Sequence, residues 1–241
     1  MAIAFFDLDH TLLKGANGNM VVRYMVRRRL LGPGALWRAA RYTLLYRLNR
    51  IPYMEVYRWT FRECGKYPLP ELLEMLDEAY ARYILPSLYR EGRDKIAEHK
   101  ARGHLTVIAT AAGEYISEKV RVQLGADDRI AATAPVRDGH LTDRLDEPLP
   151  FGEGKLERAR EFARARGASL EDCYFYSDSL ADLPLLEAVG HPVAVNPSRG
   201  LLRVARGRGW PVLRWKETLG GEAPAEAERL GFRDSPEEAG A

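Results

Sequence analysis

The sequence lacks any long hydrophobic run. None of its uninterrupted apolar stretches reaches the roughly 18 residues that a membrane-spanning helix needs. The N-terminus enters an apolar, strand-like stretch directly, so we expect neither a signal peptide nor a membrane anchor. With 46% hydrophobic and 29% charged residues in a chain of 241, the composition is that of an ordinary globular protein with a sizeable core. These features favour a cytoplasmic protein with one main domain and a smaller appendage.

Cysteine is almost absent. The chain contains only Cys64 and Cys173, and their separation matches no metal-ligand spacing. We therefore expect no cysteine-based metal site. The prediction for Cys173 is a free, buried thiol, which suits a reducing compartment.

Acidic residues are scarce near the N-terminus. Residues 1–62 contain 11 Lys or Arg but only 3 Asp or Glu, and no acidic residue lies between Asp9 and Glu55. Arginines alternate with Trp and Tyr in this stretch. It is compatible with attraction of an anionic substrate, with contact to an anionic membrane surface, or with nucleic-acid binding. A solvated helical face is the simplest interpretation, and no nucleic-acid partner is expected.

Two carboxylates follow the first predicted strand. Ala2–Phe6 is an apolar run, short enough for a buried strand of a parallel sheet, and it ends at Asp7, with Asp9 two residues later. Ligands of open α/β sheets bind at the carboxyl ends of the strands. Two close carboxylates repel each other, and a bound Mg²⁺ would relieve the repulsion. A turn or a helix cap is the alternative role for this pair.

Two later stretches add candidates for anion binding. Residues 105–113 are typical of a second buried strand, in which Thr110 is followed by small residues, beginning with Ala111, that leave backbone N–H groups open to an anion. Residues 151–156 combine glycines with Lys155 at the start of a helical pattern. Each signal is weak when taken alone.

A further apolar strand, within residues 173–184, also ends in a carboxylate. Asp178 follows the strand directly, Ser179 comes next, and Asp182 lies four residues after Asp178 on what should be an entering helix. The four stretches together, in this order, carry far more weight than any one of them.

In their order and content the four stretches resemble the motifs of the haloacid dehalogenase (HAD) superfamily of phosphohydrolases. The matching residues are Asp7-Leu8-Asp9-His10-Thr11, Thr110, Lys155 and Asp178-Ser179-Leu180-Ala181-Asp182. The likeness is greatest to the phosphoserine-phosphatase-like branch, subfamily IB, and runs from about residue 3 to about residue 215. It implies an α/β fold, with a Rossmann-like core of parallel sheet and helices on both faces, plus a small all-helical cap of the C1 type.

The resemblance implies how the motif carboxylates act. Asp7 would be the nucleophile that forms an aspartyl-phosphate, and Asp9 would protonate the leaving alcohol and then activate water. Mg²⁺ would be the cofactor, held by Asp7, by the backbone carbonyl of Asp9 and by Asp178.

The remaining motif residues would bind or support the phosphoryl group. Thr110, Ala111 and Lys155 would contact its oxygens as charge spreads over them. Asp182 would hold either Lys155 or a metal-bound water, and the two roles stay open. Ser179 is a further supporting residue.

The expected domains follow the same resemblance. Residues 1–15 and 86–216 would form the core, residues 16–85 the helical cap, and residues 217–241, with 7 acidic and 2 basic residues, a mobile tail. Hydrophobic spacing and glycine or proline breaks predict four cap helices, at 19–31, 35–49, 52–64 and 70–85.

The core is predicted to alternate strands and helices, which implies a parallel sheet. The predicted helices are 87–102, 114–124, 155–165 and 184–189. One strand is predicted to begin near Cys173, and two further strands are predicted at 192–195 and 211–215. The Asp138-Gly139 turn signal predicts a hairpin between 129–136 and 140–144.

The function expected from these residues is Mg²⁺-dependent hydrolysis of a small phosphomonoester. A phosphotransferase using the same intermediate is one alternative, and a non-catalytic HAD-fold protein that binds through its basic cap is another. Phosphoserine phosphatases of this family hold the substrate amine with a glutamate in the turn after the first motif, where this chain has Ala16. Phosphoserine is therefore not the favoured substrate, and the sequence does not determine the oligomeric state.

Overall fold

A six-stranded parallel sheet forms the centre of the molecule. The structure is a computed structural model that describes residues 1–47 and 53–220. Its strands are β1 (Ile3–Phe6), β2 (Leu105–Gly113), β3 (Asp128–Ala132), β4 (Val136–Arg137), β5 (His140–Leu141), β6 (Tyr174–Ser177), β7 (His191–Val195) and β8 (Val212–Leu213). The main sheet has the order β3-β2-β1-β6-β7-β8, and β4 pairs with β5 in a separate hairpin. This arrangement confirms the predicted α/β class with a parallel sheet.

The first strand lies in the middle of the sheet, where all of its side chains are fully buried; its uniformly apolar sequence suits this position. Phe6 pairs with Ile108 of β2 on one side and with Tyr176 of β6 on the other. Alternate side chains of β1 enter two separate hydrophobic cores, one containing Phe5 and the other Phe6. Both faces of the sheet are therefore covered, as expected for a parallel sheet.

The helices of the described residues lie between these strands in the chain. They are α1 (Asn17–Arg27), α2 (Pro33–Arg47), α3 (Tyr53–Cys64), α4 (Leu69–Ala79), α5 (Arg90–Ala101), α6 (Glu114–Leu124), α7 (Glu153–Ala165), α8 (Leu183–Ala188) and α9 (Arg199–Arg208). None of the helices in the described ranges is long and apolar enough to cross a membrane. We call residues 17–87 the helical segment, because every strand of the described chain lies outside it.

Three of the four predicted helices in this segment match α1, α2 and α3 to within a few residues. The predicted end of the second helix and the predicted start of the third fall at residues 48–52, outside the described residues. The fourth prediction, 70–85, is wrong at its C-terminal end. There α4 stops at Ala79 and continues as a π-helical turn, Tyr80–Ile84, and a 3₁₀ turn at Leu85–Ser87.

The predicted long hairpin is also wrong. Asp128–Ala132 pairs in parallel with β2, and only the two short strands β4 and β5 form an antiparallel pair around the Asp138-Gly139 turn. The buried apolar residues Ile130–Ala132 explain the difference, because a sheet edge that packs against helices buries them better than a short hairpin does. Both turn residues have positive φ, as the Asp-Gly signal predicts.

The C-terminal part of the described chain differs from the expectation in two ways. Helix α9, capped by the Ser198 side chain on the Leu201 N–H, was not predicted. The first residues of the predicted tail pack onto the core, where Leu219 N donates to Leu88 O at 2.9 Å and Gly220 N donates to Pro86 O at 3.0 Å. The rest of that tail, 221–241, lies outside the described residues.

A buried histidine connects α5 to the sheet. His99 is 1% exposed, and its Nε2 lies 2.8 Å from the Tyr176 hydroxyl while its Nδ1 lies 2.9 Å from His104 Nδ1. Burial, together with the neighbouring His104 charge, lowers the pKa of His99 from 6.5 to about 4. This imidazole is therefore neutral at physiological pH.

Candidate active site

Two buried carboxylates share one buried lysine at the carboxyl edge of the sheet. The Lys155 Nζ lies 2.7 Å from Asp7 Oδ1 and 2.8 Å from Asp182 Oδ2. All three side chains are less than 10% exposed. Ser177 Oγ donates a further hydrogen bond of 2.7 Å to Asp182 Oδ2. The structure thus places Asp182 against the lysine, the first of the two roles that the sequence left open.

Short backbone contacts bring Lys155 to this position. Helix α7 begins next to Gly152, whose φ of 56° favours glycine, and Lys155 lies in its first turn. At Gly154 a Cβ atom would lie 2.1 Å from the Leu149 carbonyl oxygen. Only glycine therefore allows the start of α7 to pack so closely against the preceding loop, which directs Lys155 into the core.

A threonine joins the loop after β1 to the loop after β6. Thr11 Oγ1 accepts a hydrogen bond of 3.0 Å from the Asp178 N–H. The same hydroxyl lies 3.3 Å from Asp178 Oδ1 and 3.4 Å from Asp7 Oδ2, and its one proton serves only one of them. Asp7 Oδ2 and Asp178 Oδ1 therefore lie close to the same hydroxyl group, which can donate its proton to only one of them.

Asp9 has a different environment. Its Oδ1 accepts hydrogen bonds from the Asn17 backbone N–H at 2.7 Å and from Asn17 Nδ2 at 2.8 Å, and its Oδ2 accepts one from Nδ2 at 2.8 Å. Asn17 is the first residue of α1, so the carboxylate lies at a helix N-terminus, where negative charge is favoured. The first residue of the helical segment therefore determines the orientation of the Asp9 side chain.

Two of the three predicted phosphate-binding residues, Thr110 and Ala111, lie on an irregular part of β2. Opposite β3 the pairing register shifts between Ala109 and Gly113, so two extra residues of β2 bulge there. Thr110 is 1% exposed, and its Oγ1 accepts a hydrogen bond of 3.0 Å from the Ala112 N–H. A bulge of this kind often redirects side chains beside an active site. The sequence motifs predict Thr110 and Asp9 at the site, but their side-chain hydrogen bonds go to Ala112 and Asn17 rather than to the Asp7–Lys155 pair.

Ser179 supports the loop that carries Asp178. Its backbone N–H donates to Ser177 Oγ at 3.1 Å, and its own hydroxyl accepts from the Ala181 N–H at 3.2 Å. The loop therefore forms a short 3₁₀ turn that ends at Asp182. This turn lets residues 178 and 182 approach the site from the same loop.

The buried carboxylates carry more negative charge than the single lysine balances. Burial raises the pKa of Asp7 to about 7, because the nearby Asp182 charge adds to the effect and the Lys155 charge only partly offsets it. Burial and the charges of Asp7 and Asp182 raise the pKa of Asp178 well above its usual range. For Lys155, burial alone would lower the pKa, but the two carboxylates outweigh it and raise the pKa, so the ammonium stays protonated.

These residues fit a divalent cation of the magnesium type. No group of three or more His, Cys, Asp or Glu side chains in the described residues is arranged to hold a metal. A set of two carboxylates, from Asp7 and Asp178, with a backbone carbonyl and waters is nevertheless a donor set that Mg²⁺ uses. A cation beside them would lower both raised pKa values and remove the repulsion between the carboxylates.

Two polar residues of this site are absent from the predicted site residues. Thr11 belongs to the first motif without a predicted role, and Asn17 directly follows Ala16 in the turn after that motif. The helix-start signal of an asparagine directly before an apolar pattern points to Asn19 rather than to Asn17, because Met20 follows Asn19. The contact between Asn17 and Asp9 cannot be predicted from local signals, because it depends on how the loop between them turns.

Comparison with known proteins agrees with this geometry. The family model described as haloacid dehalogenase-like hydrolase matches residues 4–187. A probable phosphatase of Mycobacterium tuberculosis is 34% identical over 90% of this chain and 76% of its own length. A histidinol-phosphatase of Neisseria meningitidis is 30% identical over 89% of this chain and 99% of its own. For a phosphoserine phosphatase of M. tuberculosis the identity is 30%, over 88% of this chain and 70% of its own.

A solved structure supports the same assignment. The crystal structure of a protein of unknown function from Bordetella pertussis superimposes with a TM-score of 0.82 and 32% identity, covering 88% of this chain and 97% of that one. The match of the family model spans most of the chain, from β1 to α8, and includes all four motifs. The resemblance to phosphoserine-phosphatase-like proteins is confirmed, and the chain belongs to the haloacid dehalogenase-like hydrolases.

Proposed function

We propose that this enzyme is a Mg²⁺-dependent phosphatase that hydrolyses a small phosphomonoester through a covalent intermediate on Asp7. One observation carries the proposal. In a chain of this hydrolase family, a buried carboxylate directly after the central strand is hydrogen-bonded to a buried, protonated lysine at 2.7 Å. The names of the relatives support phosphate esters as the substrate class.

The covalent step begins with attack of an Asp7 carboxylate oxygen on phosphorus. An aspartyl-phosphate forms as the bond to the leaving alcohol breaks, and Asp9 supplies the proton that the alcohol needs. Water then attacks the same phosphorus and gives its proton to Asp9. The acyl phosphate bond breaks, Asp7 is regenerated, and inorganic phosphate leaves.

Lys155 has one donor available for the substrate. An ammonium has three N–H groups, and the contacts to Asp7 and Asp182 use two of them. The third is left for a phosphoryl oxygen, where it would stabilise the charge that spreads over those oxygens. Thr110 and the backbone N–H groups that follow it would bind the remaining oxygens.

Asp7, Asp178 and the Asp9 carbonyl would hold Mg²⁺. When bound, the ion supplies charge neutralisation between the carboxylates and the incoming phosphate. Without it, a dianionic phosphate would approach the buried carboxylates of Asp7 and Asp182 and the partly buried carboxylate of Asp178, which one lysine balances only in part. Turnover is therefore expected to require the metal.

The helical segment is the proposed cap. It contacts the β4–β5 hairpin, where Leu69 N donates to Gly139 O at 2.7 Å and His140 Nδ1 lies 2.9 Å from Gly65 O. It also contacts the loop before α7, where Arg62 donates to Asp143 Oδ2 at 2.7 and 2.9 Å. The same loop leads to Lys155, so a cap at this place would exclude water from the phosphoryl group.

The substrate is proposed to carry no ammonium group next to the turn after the first motif. Ala16 there offers no carboxylate, and Glu55, the next acidic residue after Asp9, is held by the Tyr42 hydroxyl at 2.7 Å. A buried ammonium without a partner costs several kcal/mol, as an order of magnitude. Phosphoserine and histidinol phosphate, suggested by the names of relatives, should therefore be poorer substrates than phosphomonoesters without an amine, such as lysophosphatidate.

The first test is phosphate release from an aryl phosphate by the wild type, by Asp7→Asn and by Asp94→Asn. Asp94 is an exposed aspartate on α5 and provides the same substitution as a control. We expect Mg²⁺-dependent turnover that falls at least about a thousandfold in Asp7→Asn and stays unchanged in Asp94→Asn. A wild-type rate in Asp7→Asn, or equal rates with Mg²⁺ and with a chelator, would contradict the proposal.

The same assay separates hydrolysis from phosphoryl transfer. In hydrolysis, the released aryl alcohol and the released phosphate are equal in amount even when a second alcohol is added. If phosphate falls short of the aryl alcohol, then the added alcohol accepts the group and the enzyme is a phosphotransferase. A panel that includes phosphoserine, histidinol phosphate and lysophosphatidate then tests the substrate class, and a preference for phosphoserine would contradict the argument from Ala16.

A further inference from the structure

A cleft between α2 and α3 shares no residue with the active site described above. Its volume is about 360 Å³, within the range of small-molecule sites. Four of its lining residues are arginines, two from each helix: Arg38, Arg41, Arg58 and Arg62. We call it the arginine cleft.

The arginine cleft has an excess of positive charge. Among the described residues, Glu55 is the one carboxylate that lines the cleft; it accepts a hydrogen bond from Tyr42 and lies 3.9 Å from Arg41. Arg58 and Arg62 pair with carboxylates of the loop before α7, which do not line the cleft. Arg38 has no carboxylate partner among the residues that the structure describes. Exposed ion pairs are weak, so Arg58 and Arg62 can exchange their present partners for an anion with more than one negative charge that enters beside Arg38.

Aromatic rings form the rest of the lining. Trp37 is 69% exposed, which is high for a tryptophan. The rings of Tyr42 and Trp59 lie with their centroids 5.3 Å apart on the buried side. The Trp59 Nε1–H is buried and has no acceptor in the described part of the chain. An exposed indole beside guanidinium groups provides a surface on which a planar ring can stack.

We propose that the arginine cleft is a second binding site, for an anion that carries two or more negative charges next to a planar ring. A nucleoside diphosphate is the simplest ligand of this class. Inorganic phosphate would use the arginines but not the rings, and a nucleoside would use the rings but not the arginines. The inference does not rest on the proposed phosphatase activity, because no catalytic residue lines the cleft.

The experiment follows tryptophan fluorescence while ADP is added in the presence of a chelator. Asp7→Asn is the parent protein, so that no turnover occurs, and Trp37 and Trp59 report on the cleft directly. We expect a saturable change with a dissociation constant below about 1 mM. Adenosine and inorganic phosphate should each bind at least tenfold more weakly than ADP.

Matched double variants assign the binding to the cleft. Arg38→Gln with Arg41→Gln should weaken ADP binding at least tenfold. Arg203→Gln with Arg206→Gln removes two exposed arginines at the same spacing on α9 and should leave it unchanged. Trp59→Phe keeps a ring but removes the unpaired N–H donor, and it should weaken binding several-fold while Trp37 still reports it. Circular dichroism checks that each variant is folded.

Three results would overturn the proposal. They are the absence of saturation, an equal loss in both double variants, and binding to anionic vesicles without binding to ADP. The second would indicate a diffuse charge effect, and the third would assign the arginines to a lipid surface. A saturable site that is lost with Arg38 and Arg41 but kept in the α9 double variant supports it.

Discussion

Replacement of Lys155 by methionine should cost far more stability than loss of an ordinary ion pair. The substitution keeps a long apolar side chain but removes the ammonium that lies 2.7 Å from Asp7 and 2.8 Å from Asp182. Both carboxylates are more than 90% buried, so water cannot replace the lost partner. Removing one member of a buried ion pair typically costs about 3–5 kcal/mol of unfolding free energy. That is a large share of the roughly 5–15 kcal/mol that stabilises a typical domain.

Lys119→Met is the matched control. Its ammonium lies 2.6 Å from Asp77, a similar distance, but the Asp77 side chain is 58% exposed. Exposed pairs contribute about 0–1 kcal/mol, so this variant should lose little. The comparison therefore separates the effect of burial from the effect of the substitution itself.

A third variant tests the cause of the loss. Lys155→Met combined with Asp182→Asn removes one of the two unpaired charges, and the amide oxygen can still accept the Ser177 hydroxyl. We expect the double variant to regain about 1–2 kcal/mol relative to Lys155→Met alone. The opposite order of stability would show that the carboxylates are not the source of the cost.

Urea denaturation followed by circular dichroism, in the presence of a chelator, measures all three variants. The midpoint should shift while the dependence on urea stays constant. The reasoning is refuted if Lys155→Met loses no more free energy than Lys119→Met. If Lys155→Met fails to fold at all, a folded double variant would still support the reasoning. If Lys119→Met also fails to fold, burial is not the cause of the loss, and the reasoning is contradicted.

Three further predictions concern positions around the site and the core. Asn17→Ala removes two of the three hydrogen bonds that hold the Asp9 carboxylate. The kcat should therefore fall about 10- to 100-fold with little change in KM. A change in KM alone would argue against a positioning role for Asn17. His99 has a folded-state pKa of about 4, below the unfolded value of 6.5, so its contribution to stability is complete above pH 6.5 and is lost as the pH falls toward 4. The loss should be at most about 3 kcal/mol, and it should vanish from urea titrations of His99→Gln. Gly154→Ala should reduce both the stability and the phosphatase rate, because the added Cβ would meet a backbone oxygen. Gly18→Ala is the control, since there is open space around Gly18 in α1; its unfolding free energy should be unchanged or rise by up to about 1 kcal/mol. Thermal denaturation measures the stability of both variants.

The buried strands and the motif residues at their ends were predictable from local patterns. The β1 run contains no polar residue for four positions and then two carboxylates, so the sequence itself marks both the strand and its ligand-facing end. The Glu114–Leu124 helix was predicted with its observed bounds, because Gly125 ends it in the left-handed conformation that glycine favours. These features depend on residues a few positions apart.

The partners of the site residues were not predictable in the same way. Whether Asp182 binds Lys155 or faces a metal-bound water depends on the 3₁₀ turn after β6 and on the close packing of Gly154. The Asp-Gly turn signal predicts a hairpin strand at 129–136, although residues 128–132 pair with β2, the partner that buries more of their apolar surface. The Asn17–Asp9 contact was missed because local patterns do not show which way a loop folds.

Local sequence patterns specify the family, the α/β class, the carboxylates that follow β1 and β6, and the threonine among the small residues of β2. They also show the excess of arginine in the helical segment. Tertiary packing brings Asp7 and Lys155, 148 positions apart in the chain, within hydrogen-bond distance and places arginines of two helices around one cleft. Side-chain periodicity specifies which face of an element is buried, whereas the partner across that face depends on how the whole chain packs.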